Sequence, residues 1–463
     1  MRVFGHHVSR AAFVLAGIEI LLVYACMQLA LYLVAGAPSE SSLIHPEAFF
    51  GALVVVVAMS LLGLYEQGKR TLTFNVRGLV DTLRIGFGVS LGVGLLGLLS
   101  IEPAIPGLEL PALLLGGGMA VIALPLERLI FWRARSLDFF KRRLLVIGAG
   151  GRASAIESGI GEDTPYVVVA YVDTGEGSAT EMPPDRIIRL HAGMRLLDIA
   201  RERNVEEIVV AMLDRRGNLP VRQLLECKLQ GIAITDISTF FEREQQQIQL
   251  DSLNASWLVF GAGFRQHWFG NAVKRGFDVS VSLLLLLLTL PIMLVTAIAI
   301  RLEGPGPIFY WQTRVGRGNQ AFDICKFRSM RPDAESDGLA RWASDNDDRV
   351  TRIGRVIRKL RIDELPQVYN VLKGEMSFVG PRPERPFFVE QLSAKIPYFL
   401  ARHSIRPGIT GWAQVRYPYG ASVEDARHKL QYDLYYVKNH TLFLDLVIML
   451  ETVKVVVFGR GAR

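Results

Sequence analysis

Four apolar stretches of bilayer-crossing length open the chain: Ala11–Gly36, Phe49–Leu64, Ile85–Ile101 and Ala112–Trp132. About 20 apolar residues cross a bilayer core, so each predicts a transmembrane helix. The first stretch is too long, and too closely followed by others, for a cleaved signal peptide. The first and third connections contain no Lys or Arg, whereas Lys and Arg fill the second and follow the fourth stretch. The positive-inside rule therefore predicts that both ends of the bundle face the cytoplasm.

We interpret this bundle, residues 1–138, as a membrane anchor. A transport path would need ionisable residues in the middle of the spans, and we expect none there.

After the bundle, short apolar runs alternate with polar segments of helical length over residues 141–260. The runs RLLVIG, VVVAYVD, EEIVVAM and GIAITDI predict the parallel strands of a doubly wound, Rossmann-like α/β domain. Gly148, Gly150 and Gly151 follow the first strand and Asp173 ends the second, as in dinucleotide-binding folds, but Ala153 occupies the third glycine position. Nucleotide binding and tight strand-to-helix packing without a ligand both remain open.

A fifth apolar stretch, Val279–Ile300, is long enough to cross the bilayer, but Lys and Arg flank both of its ends. Pro291 lies near its middle, where proline removes a helix hydrogen bond and favours a bend. We predict a re-entrant helix over about residues 276–301 that breaks at Pro291 and returns to the same leaflet, with the Thr289 hydroxyl covering the break. A kinked helix that crosses the bilayer is the alternative.

The net charge of +7 and the three widely spaced cysteines limit the kinds of site and partner that the protein can have. The cysteines offer neither a disulfide framework nor a metal-thiolate cluster. The positive charge is compatible with nucleic acid, an anionic membrane surface or a phosphorylated substrate. Because the basic residues cluster beside membrane segments rather than on a nucleic-acid recognition helix, we expect no nucleic-acid partner.

One basic segment predicts a helix lying on the membrane surface. Apolar and cationic residues both recur there at helical spacing, on adjoining faces: Val350, Ile353, Ile357 and Leu360, and Arg349, Arg352, Arg355 and Arg358. Such a helix lies in the headgroup plane, where phosphate groups gather.

Two adjacent carboxylates, Asp363 and Glu364, follow in the sequence RIDELPQ. Pro366 suits the first turn of a helix, which predicts Asp363 as its N-cap and Glu364 as its first residue. Capping alone could explain the aspartate, but four cations lie close in sequence: Arg358, Arg361, Lys373 and Arg382. An ionised carboxylate here could bind a divalent cation and attack phosphorus, and its neighbour could orient the metal or act as a general base.

Four segments carry a family resemblance: KRGFDV, GPGPIFYWQTRVGRGNQAFDICKFRSM, RIDELPQVYNVLKGEMSFVGPRP and RPGITGWAQV. Together they resemble the bacterial sugar transferases that are monotopic phosphoglycosyl transferases, or polyprenyl-phosphate hexose-1-phosphate transferases. With the four-helix start and the Rossmann-like domain, nearly the whole chain is similar to the large, WcaJ- or WbaP-like members. Its C-terminal end looks closest to exopolysaccharide enzymes linked to exosortase systems.

The resemblance implies a mainly α-helical catalytic domain over residues 271–463 in a bacterial inner-membrane protein, with this domain in the cytoplasm. It implies transfer of hexose-1-phosphate from a UDP-hexose to a polyprenyl phosphate through an aspartyl intermediate, with release of UMP. Mg²⁺ and a homodimer are also implied.

The resemblance also implies roles for individual residues. Asp363 would be the nucleophile and the ligand of Mg²⁺, and Glu364 would complete the dyad. The implied substrate-binding residues are Lys326, Arg328, Arg358, Arg361, Arg382, Pro383 and Arg416, with the Pro381–Pro383 turn near uridine. Arg416 stands where small members have an Asn-Gly-Arg stretch, and Leu290 precedes Pro291 where many members have serine.

Two other functions remain as alternatives. A membrane-anchored nucleotide-sugar dehydratase or epimerase would use a Tyr-x-x-x-Lys pair, which occurs at Tyr369 and Lys373, far from the glycine turn. A non-catalytic membrane scaffold would use the basic helix for lipid and the carboxylates only as caps.

Overall fold

The computed structural model describes residues 2–3, 6–7, 10–35, 89–90, 92–93, 110–135, 141–158, 164, 166–174, 182–191, 193–212, 219–250, 268–331, 334, 348–417, 420 and 422–458. The chain divides into two compact units, Val8–Phe240 and Phe241–Arg463, the second including Arg2–His7. At the N-terminus the two-residue strands β1 (Arg2–Val3) and β2 (His6–His7) pair antiparallel.

Two predicted membrane spans are seen as helices, α1 (Arg10–Ala35) and α2 (Leu110–Arg135). They pack together through small and apolar side chains, and a Cβ at Gly116 would lie 2.6 Å from the Met27 sulfur. Among the described residues, three helices are long and apolar enough to cross a membrane. The other two predicted spans of the bundle lie outside the described residues, apart from short helical pieces at 89–90 and 92–93.

The anchor interpretation overlooked an ionisable residue within the first span. Glu19 is fully buried on α1 and pairs with the Nε of Arg128 on α2 at 2.6 Å. Ionisable side chains inside membrane segments usually pair with one another, because an unpaired charge in hydrocarbon is costly. The pair therefore ties α1 to α2, and the expectation of spans without mid-span charges is wrong.

The predicted α/β domain is confirmed as a five-stranded parallel sheet in the order β5-β4-β3-β6-β7. Its strands are β3 (Arg142–Ile147), β4 (Tyr166–Asp173), β5 (Ile187–Arg189), β6 (Glu207–Val210) and β7 (Ala233–Asp236). Its helices are α3 (Gly151–Ser158), α4 (Leu196–Glu202), α5 (Val221–Leu229) and α6 (Ile237–Gln245). The apolar runs of the sequence form four of the strands because both sheet faces are covered. The short β5 was not predicted.

The glycine turn after β3 shows close backbone packing. Gly148 has φ +111°, and a Cβ there would lie 3.2 Å from the main chain of Ala211. Ala153, at the position of the missing third glycine, is completely buried, and Arg152 at the start of α3 donates to the carbonyl oxygen of Met212 at 3.2 Å. These contacts account for the glycine without a ligand.

The C-terminal unit contains a long helix, a β-hairpin, several short helices and two helices of 17 residues near its end. Its helices are α7 (Trp268–Glu303), α8 (Arg352–Lys359), α9 (Val368–Lys373), α10 (Pro386–Lys395), α11 (Trp412–Arg416), α12 (Val423–Asn439) and α13 (Leu442–Phe458). Its strands are the antiparallel pair β8 (Phe309–Val315) and β9 (Ala321–Phe327) and the parallel pair β10 (Ser377–Val379) and β11 (Gly408–Thr410).

The core of this unit is built on α10, α12 and α13 and includes the buried aromatic residues Phe399, Trp412, Tyr435 and Tyr436. The unit also holds the end of α6, because Glu242 accepts from Lys438 at 2.6 Å and Trp412 donates to the carbonyl oxygen of Gln246 at 2.9 Å. The compact C-terminal unit thus begins well before residue 271.

Helix α7 runs through Pro291 without interruption, so the predicted break in the helix is not seen. Both of its ends contact the C-terminal unit. Near its start, Arg275 donates to the carbonyl oxygen of Leu372 at 2.7 Å. Near its end, Ile300 packs with Phe327 and Ile357. Between them, the Thr289 hydroxyl donates to the carbonyl oxygen of Leu285 at 2.7 Å, a contact that often bends helices.

Candidate active site

Asp363 and Glu364 lie in a tight turn between two helices. The amphipathic helix α8 begins after Thr351, whose hydroxyl accepts from the Gly354 amide at 2.9 Å. Arg361 then adopts a left-handed conformation with φ 58° and begins a 3₁₀ helix, Ile362–Gln367, which leads into α9. Arg361 is therefore the N-cap, and the prediction of Asp363 as the N-cap is wrong. Both carboxylates lie inside the 3₁₀ turn and are only 8% exposed.

Glu364 is held by two cations from other parts of the chain. Its Oε1 accepts from Lys326 Nζ at 2.9 Å and from Arg382 Nη2 at 2.7 Å. Burial would raise the pKa of Glu364, but Arg382 and Lys326 outweigh it and hold the pKa well below its ordinary value. Glu364 is therefore ionised at neutral pH.

Asp363 has a different environment from its neighbour. Its Oδ1 is buried and accepts no hydrogen bond from the described residues. Burial and the adjacent Glu364 raise the pKa of Asp363 to about 6, against the opposing effect of Lys326, Arg361 and Arg358. At neutral pH this carboxylate is mostly ionised and keeps one oxygen without a partner.

Two strand-ending segments bring the cations to Glu364. In the hairpin, Lys326 on β9 lies opposite Tyr310 on β8 and points to the same face. Arg382 follows β10, in the short extended segment before α10. A Lys and an Arg that are distant in sequence therefore meet on one carboxylate oxygen.

Other predicted cations lie around Asp363. Arg358 and Arg361 both lower the pKa of Asp363, and Arg358 Nη1 is buried without a hydrogen-bond partner among the described residues. Pro383 lines a narrow cleft beside Arg382, with Gly316 and His403 on its other walls. The turn thus brings together Asp363, Glu364, Lys326, Arg358, Arg361 and Arg382, with Pro383 next to Arg382.

Two predicted substrate-binding residues make other contacts. Arg328 donates to the carbonyl oxygens of Ile300, Gly304 and Pro305 at 2.8–3.0 Å, around the end of α7. Arg416 stacks on Trp412, with its guanidinium carbon 4.3 Å from the ring centroid. Neither contact involves the carboxylates, so a substrate role for either residue stays a prediction.

Comparison with known proteins identifies the unit that contains this site. The sequence profile described as "Bacterial sugar transferase" matches residues 269–459. The uncharacterized sugar transferase EpsL of Bacillus subtilis (strain 168) is 40% identical over 191 residues, which are 41% of this chain and 90% of EpsL. The chain belongs to the bacterial sugar transferase family.

Two larger relatives of this sugar transferase carry names that state a reaction. The UDP-N-acetylgalactosamine-undecaprenyl-phosphate N-acetylgalactosaminephosphotransferase of Aeromonas hydrophila is 46% identical over 242 residues, 52% of this chain and 56% of the relative. The undecaprenyl-phosphate glucose phosphotransferase of Komagataeibacter xylinus is 44% identical over 194 residues, 41% of this chain and 36% of the relative. The matches thus span about half, or less, of these relatives' lengths.

Arg314 is a site residue of this sugar transferase that was not predicted from its sequence. Its Nη1 donates to the carbonyl oxygen of Pro383 at 3.1 Å and lies 3.6 Å from Glu384. Burial and the neighbouring Arg382 and Arg385 lower the pKa of Arg314, although Glu384 opposes this. Strand alternation places Tyr310, Gln312 and Arg314 on the face of Lys326, which is the signal that could have found it.

The site fits a metal ion only with help from the substrate. Within the described residues, no group of three or more His, Cys, Asp or Glu side chains could hold a metal. The partner-free Oδ1 of Asp363 is a hard oxygen of the kind that Mg²⁺ prefers. Mg²⁺ is often bound by one or two carboxylates plus substrate phosphates, and one carboxylate is what this site offers.

Tyr369 and Lys373, the pair that a dehydratase or epimerase would use, make other contacts. Tyr369 packs edge-on against Trp311, and Lys373 Nζ binds Glu375 at 2.6 Å on the surface. Both residues belong to the C-terminal unit, whereas the glycine turn belongs to the N-terminal one.

Proposed function

We propose that this protein transfers a hexose-1-phosphate from a UDP-hexose to a polyprenyl phosphate, such as undecaprenyl phosphate, and releases UMP. The observation that carries the proposal is the buried dyad, in which Asp363 keeps a partner-free oxygen while Glu364 is fixed by Lys326 and Arg382. The names of the Aeromonas and Komagataeibacter relatives support this reaction class.

The reaction proceeds in two displacements at phosphorus. An oxygen of ionised Asp363 attacks the β-phosphorus of the UDP-hexose, the bond to the bridging oxygen breaks, and UMP leaves with that oxygen. The sugar phosphate is then held as an acyl phosphate on Asp363. An oxygen of the polyprenyl phosphate attacks the same phosphorus, which restores the carboxylate and yields a polyprenyl-diphosphate sugar.

Cations beside the dyad neutralise the negative charge of the phosphates. Catalysis of phosphoryl transfer depends mainly on this electrostatic stabilisation and on positioning. Lys326 and Arg382 already lie on Glu364, and each is a cation with several N–H donors that can turn to a diphosphate. Arg358 offers a buried N–H without a partner next to Asp363, and Arg361 adds positive charge. Pro383 would pack near the uridine.

Mg²⁺ would be held by Asp363 together with the diphosphate oxygens. When bound, it neutralises charge on the phosphates and polarises the phosphorus under attack. Glu364 remains ionised beside it and keeps Lys326 and Arg382 in place.

We also propose that α7 is re-entrant in a bacterial inner membrane and that the catalytic unit is cytoplasmic. A straight helix of 36 residues would be about 54 Å long, well beyond a hydrocarbon core of about 30 Å. Its two ends contact the same unit, while its leucine-rich middle is largely exposed, as lipid-facing residues are. A continuous helix that bends near Thr289 and Pro291, dips into one leaflet and returns satisfies both observations.

The expected partners are the UDP-hexose, the polyprenyl phosphate, membrane lipid and a second copy of the chain in a homodimer. Nucleic acid is not among them. Because the relatives' names carry both N-acetylgalactosamine and glucose, a donor test should include both sugars.

The test is UMP release by the full chain in lipid nanodiscs with undecaprenyl phosphate and a panel of UDP-hexoses. We expect Asp363→Asn to lower the rate by on the order of 10³-fold or more. Asp185→Asn, at an exposed position of the α/β sheet domain, is the matched control and should keep full activity. Equal rates for Asp363→Asn and the wild type would favour the scaffold alternative.

A further inference from the structure

The segment Pro381–Glu384, which carries Arg382 to Glu364, has an unusual set of main-chain contacts. It has no helix or strand structure, and two of its four residues are prolines that lack an N–H. Yet each of its four carbonyl oxygens accepts one hydrogen bond from another part of the chain. The donors, in order from the Pro381 to the Glu384 carbonyl, are Gly408 N at 3.0 Å, Arg402 Nη2 at 2.9 Å, Arg314 Nη1 at 3.1 Å and Val315 N at 2.9 Å.

Two of these donors are guanidinium groups rather than main-chain amides. Arg402 is 6% exposed and pairs with Asp433 on α12 at 2.8 Å, and Phe399 lies under its guanidinium at 5.2 Å. Arg314 is held by Gln312, whose Oε1 accepts from Arg314 Nη2 at 2.6 Å, and by Glu384. Burying a charge is costly unless it is paired and hydrogen-bonded, and each guanidinium has its own carboxylate.

The held segment has a direct connection to the dyad. Arg382 sends its own guanidinium to Glu364 Oε1 at 2.7 Å, while Arg402 holds the carbonyl oxygen of the same residue. The main chain at Arg382 is thus fixed on one side by Arg402 and, one residue later, by Arg314. A long side chain can point accurately only if its main chain is fixed, because substrate-positioning groups lose effect over displacements of about 1 Å.

We propose that Arg314 and Arg402, each paired with a carboxylate, are positioning residues that clamp the main chain of Arg382 and Pro383 so that Arg382 meets the donor diphosphate. We call Arg314, Arg402, Asp433 and Glu384 the carbonyl clamp. The inference rests on the proposed function for its substrate, since it assigns the clamped arginine to the UDP-sugar.

The contacts of Arg402 require arginine at that position. Arg402 bonds a carbonyl oxygen and a carboxylate and lies on an aromatic ring, and a planar guanidinium with several donors can do all three. A lysine would keep the charge but not the stack or the double contact. Burial raises the pKa of Asp433 to about 6, against the opposing effect of Arg402, so the pair is mostly ionised at neutral pH.

The experiment compares two double variants that each remove a buried ion pair reaching α12. Arg402→Leu/Asp433→Asn removes half of the carbonyl clamp. Glu242→Gln/Lys438→Met removes the matched pair at 2.6 Å, which touches no carbonyl of Pro381–Glu384. We expect both to lower the thermal unfolding temperature, but only the clamp variant to raise KM for the UDP-sugar, by about 10-fold. Arg402→Lys should lie between the wild type and the clamp variant.

A coupling measurement separates positioning from general damage. In an Arg382→Ala background the clamp substitutions should raise KM no further, because the side chain they position is gone. The same KM increase in both backgrounds, or an unchanged KM in a folded clamp variant, would overturn the proposal.

Hydrogen exchange gives a readout that does not depend on turnover. The amides of Gly380, Arg382, Glu384 and Arg385 should exchange faster in the clamp variant than in the control variant. If the wild type releases no UMP but this exchange is faster, the proposed function fails and the clamp stands as a structural device. If the wild type releases UMP but exchange and KM are unchanged, the clamp alone fails.

Discussion

The surroundings of two neighbouring carboxyl groups shift their pKa values in opposite directions. Glu364 is bonded to Lys326 and Arg382 and stays ionised, whereas Asp363 is buried beside that negative charge with a free oxygen. A buried carboxylate with one partner-free oxygen is costly in a folded protein, which is typical of a reactive group rather than of a helix cap.

The pH dependence of turnover should report Asp363. Because its pKa is about 6 and only the ionised form attacks, kcat/KM for the donor should be flat above pH 7. Below pH 6 it should fall about tenfold per pH unit. The pKa of Asp433 is also about 6, so the variant Asp433→Asn is the control. If the decrease in kcat/KM below pH 6 belongs to Asp363, the same decrease must be seen in this variant. A profile that stays flat down to pH 5 would contradict the assignment.

Removing the charge of Asp363 should stabilise the fold. Its folded pKa of about 6 lies about two units above the ordinary value of about 3.9, so the ionised form is disfavoured in the folded state. The penalty is fully present above pH 6 and disappears below about pH 4, where both states are protonated. Asp363→Asn should therefore raise the free energy of unfolding by on the order of 1–3 kcal/mol at pH 7.5.

Thermal unfolding at two pH values checks this stability effect. The stabilisation by Asp363→Asn should shrink between pH 7.5 and pH 4.5. A variant that is less stable than the wild type at pH 7.5 would show that the carboxylate has a stabilising partner.

The sequence could predict the dyad and the cations on it, because those residues stand in recognisable motifs. It could not predict Arg402, since this residue acts through the carbonyl oxygen of Arg382, and any residue supplies a carbonyl. Strand alternation could have placed Arg314 on the face of Lys326, but it could not predict the hydrogen bond from Arg314 to the Pro383 carbonyl oxygen. Contacts to the main chain leave no pattern in the sequence of the accepting segment.

At the scale of elements, the basic helix α8 was predicted by its periodicity, but the turn after it was not. The left-handed Arg361 shifts the start of the next helical turn to Ile362 and places both carboxylates inside it. Arginine is not a residue that favours this conformation, so the sequence gives no signal for it.

Arg328 binds the C-terminal end of the long helix α7 and gives a prediction at the scale of elements. Its guanidinium bonds three carbonyl oxygens around Ile300–Pro305, which helix ends otherwise leave unsatisfied. We expect Arg328→Ala to lower the free energy of unfolding by roughly 2 kcal/mol, with KM for the UDP-sugar within about twofold of the wild type. A variant that keeps its stability but has a much higher KM would instead support phosphate binding by Arg328.

At the scale of the whole molecule, the order of a membrane bundle, an α/β domain and a catalytic unit follows from changes in hydrophobic pattern. The alternation of apolar runs predicted four of the five strands because parallel strands are buried on both faces. The docking of the end of α6 onto α12 could not be predicted, since it depends on buried contacts such as the Lys438–Glu242 ion pair, whose residues lie nearly 200 positions apart.

Membrane topology can be tested with two introduced cysteines on opposite sides of α7 in the sequence. Val221 and Ala394 are both exposed, and the native cysteines Cys26, Cys227 and Cys325 are all buried. In right-side-out membrane vesicles, neither Val221→Cys nor Ala394→Cys should react with an impermeant maleimide until the membrane is opened. Labelling of Ala394→Cys alone in sealed vesicles would show that α7 crosses the bilayer.

The central claim is that Asp363 becomes bonded to phosphorus during turnover. Intact-protein mass spectrometry after brief incubation with the UDP-sugar alone, followed by peptide mapping, tests it most directly. We expect a mass increase equal to one sugar phosphate on the peptide that contains Asp363, absent in Asp363→Asn and removed when polyprenyl phosphate is added. UMP release by the wild type without any such adduct, or an adduct on another residue, would contradict the account.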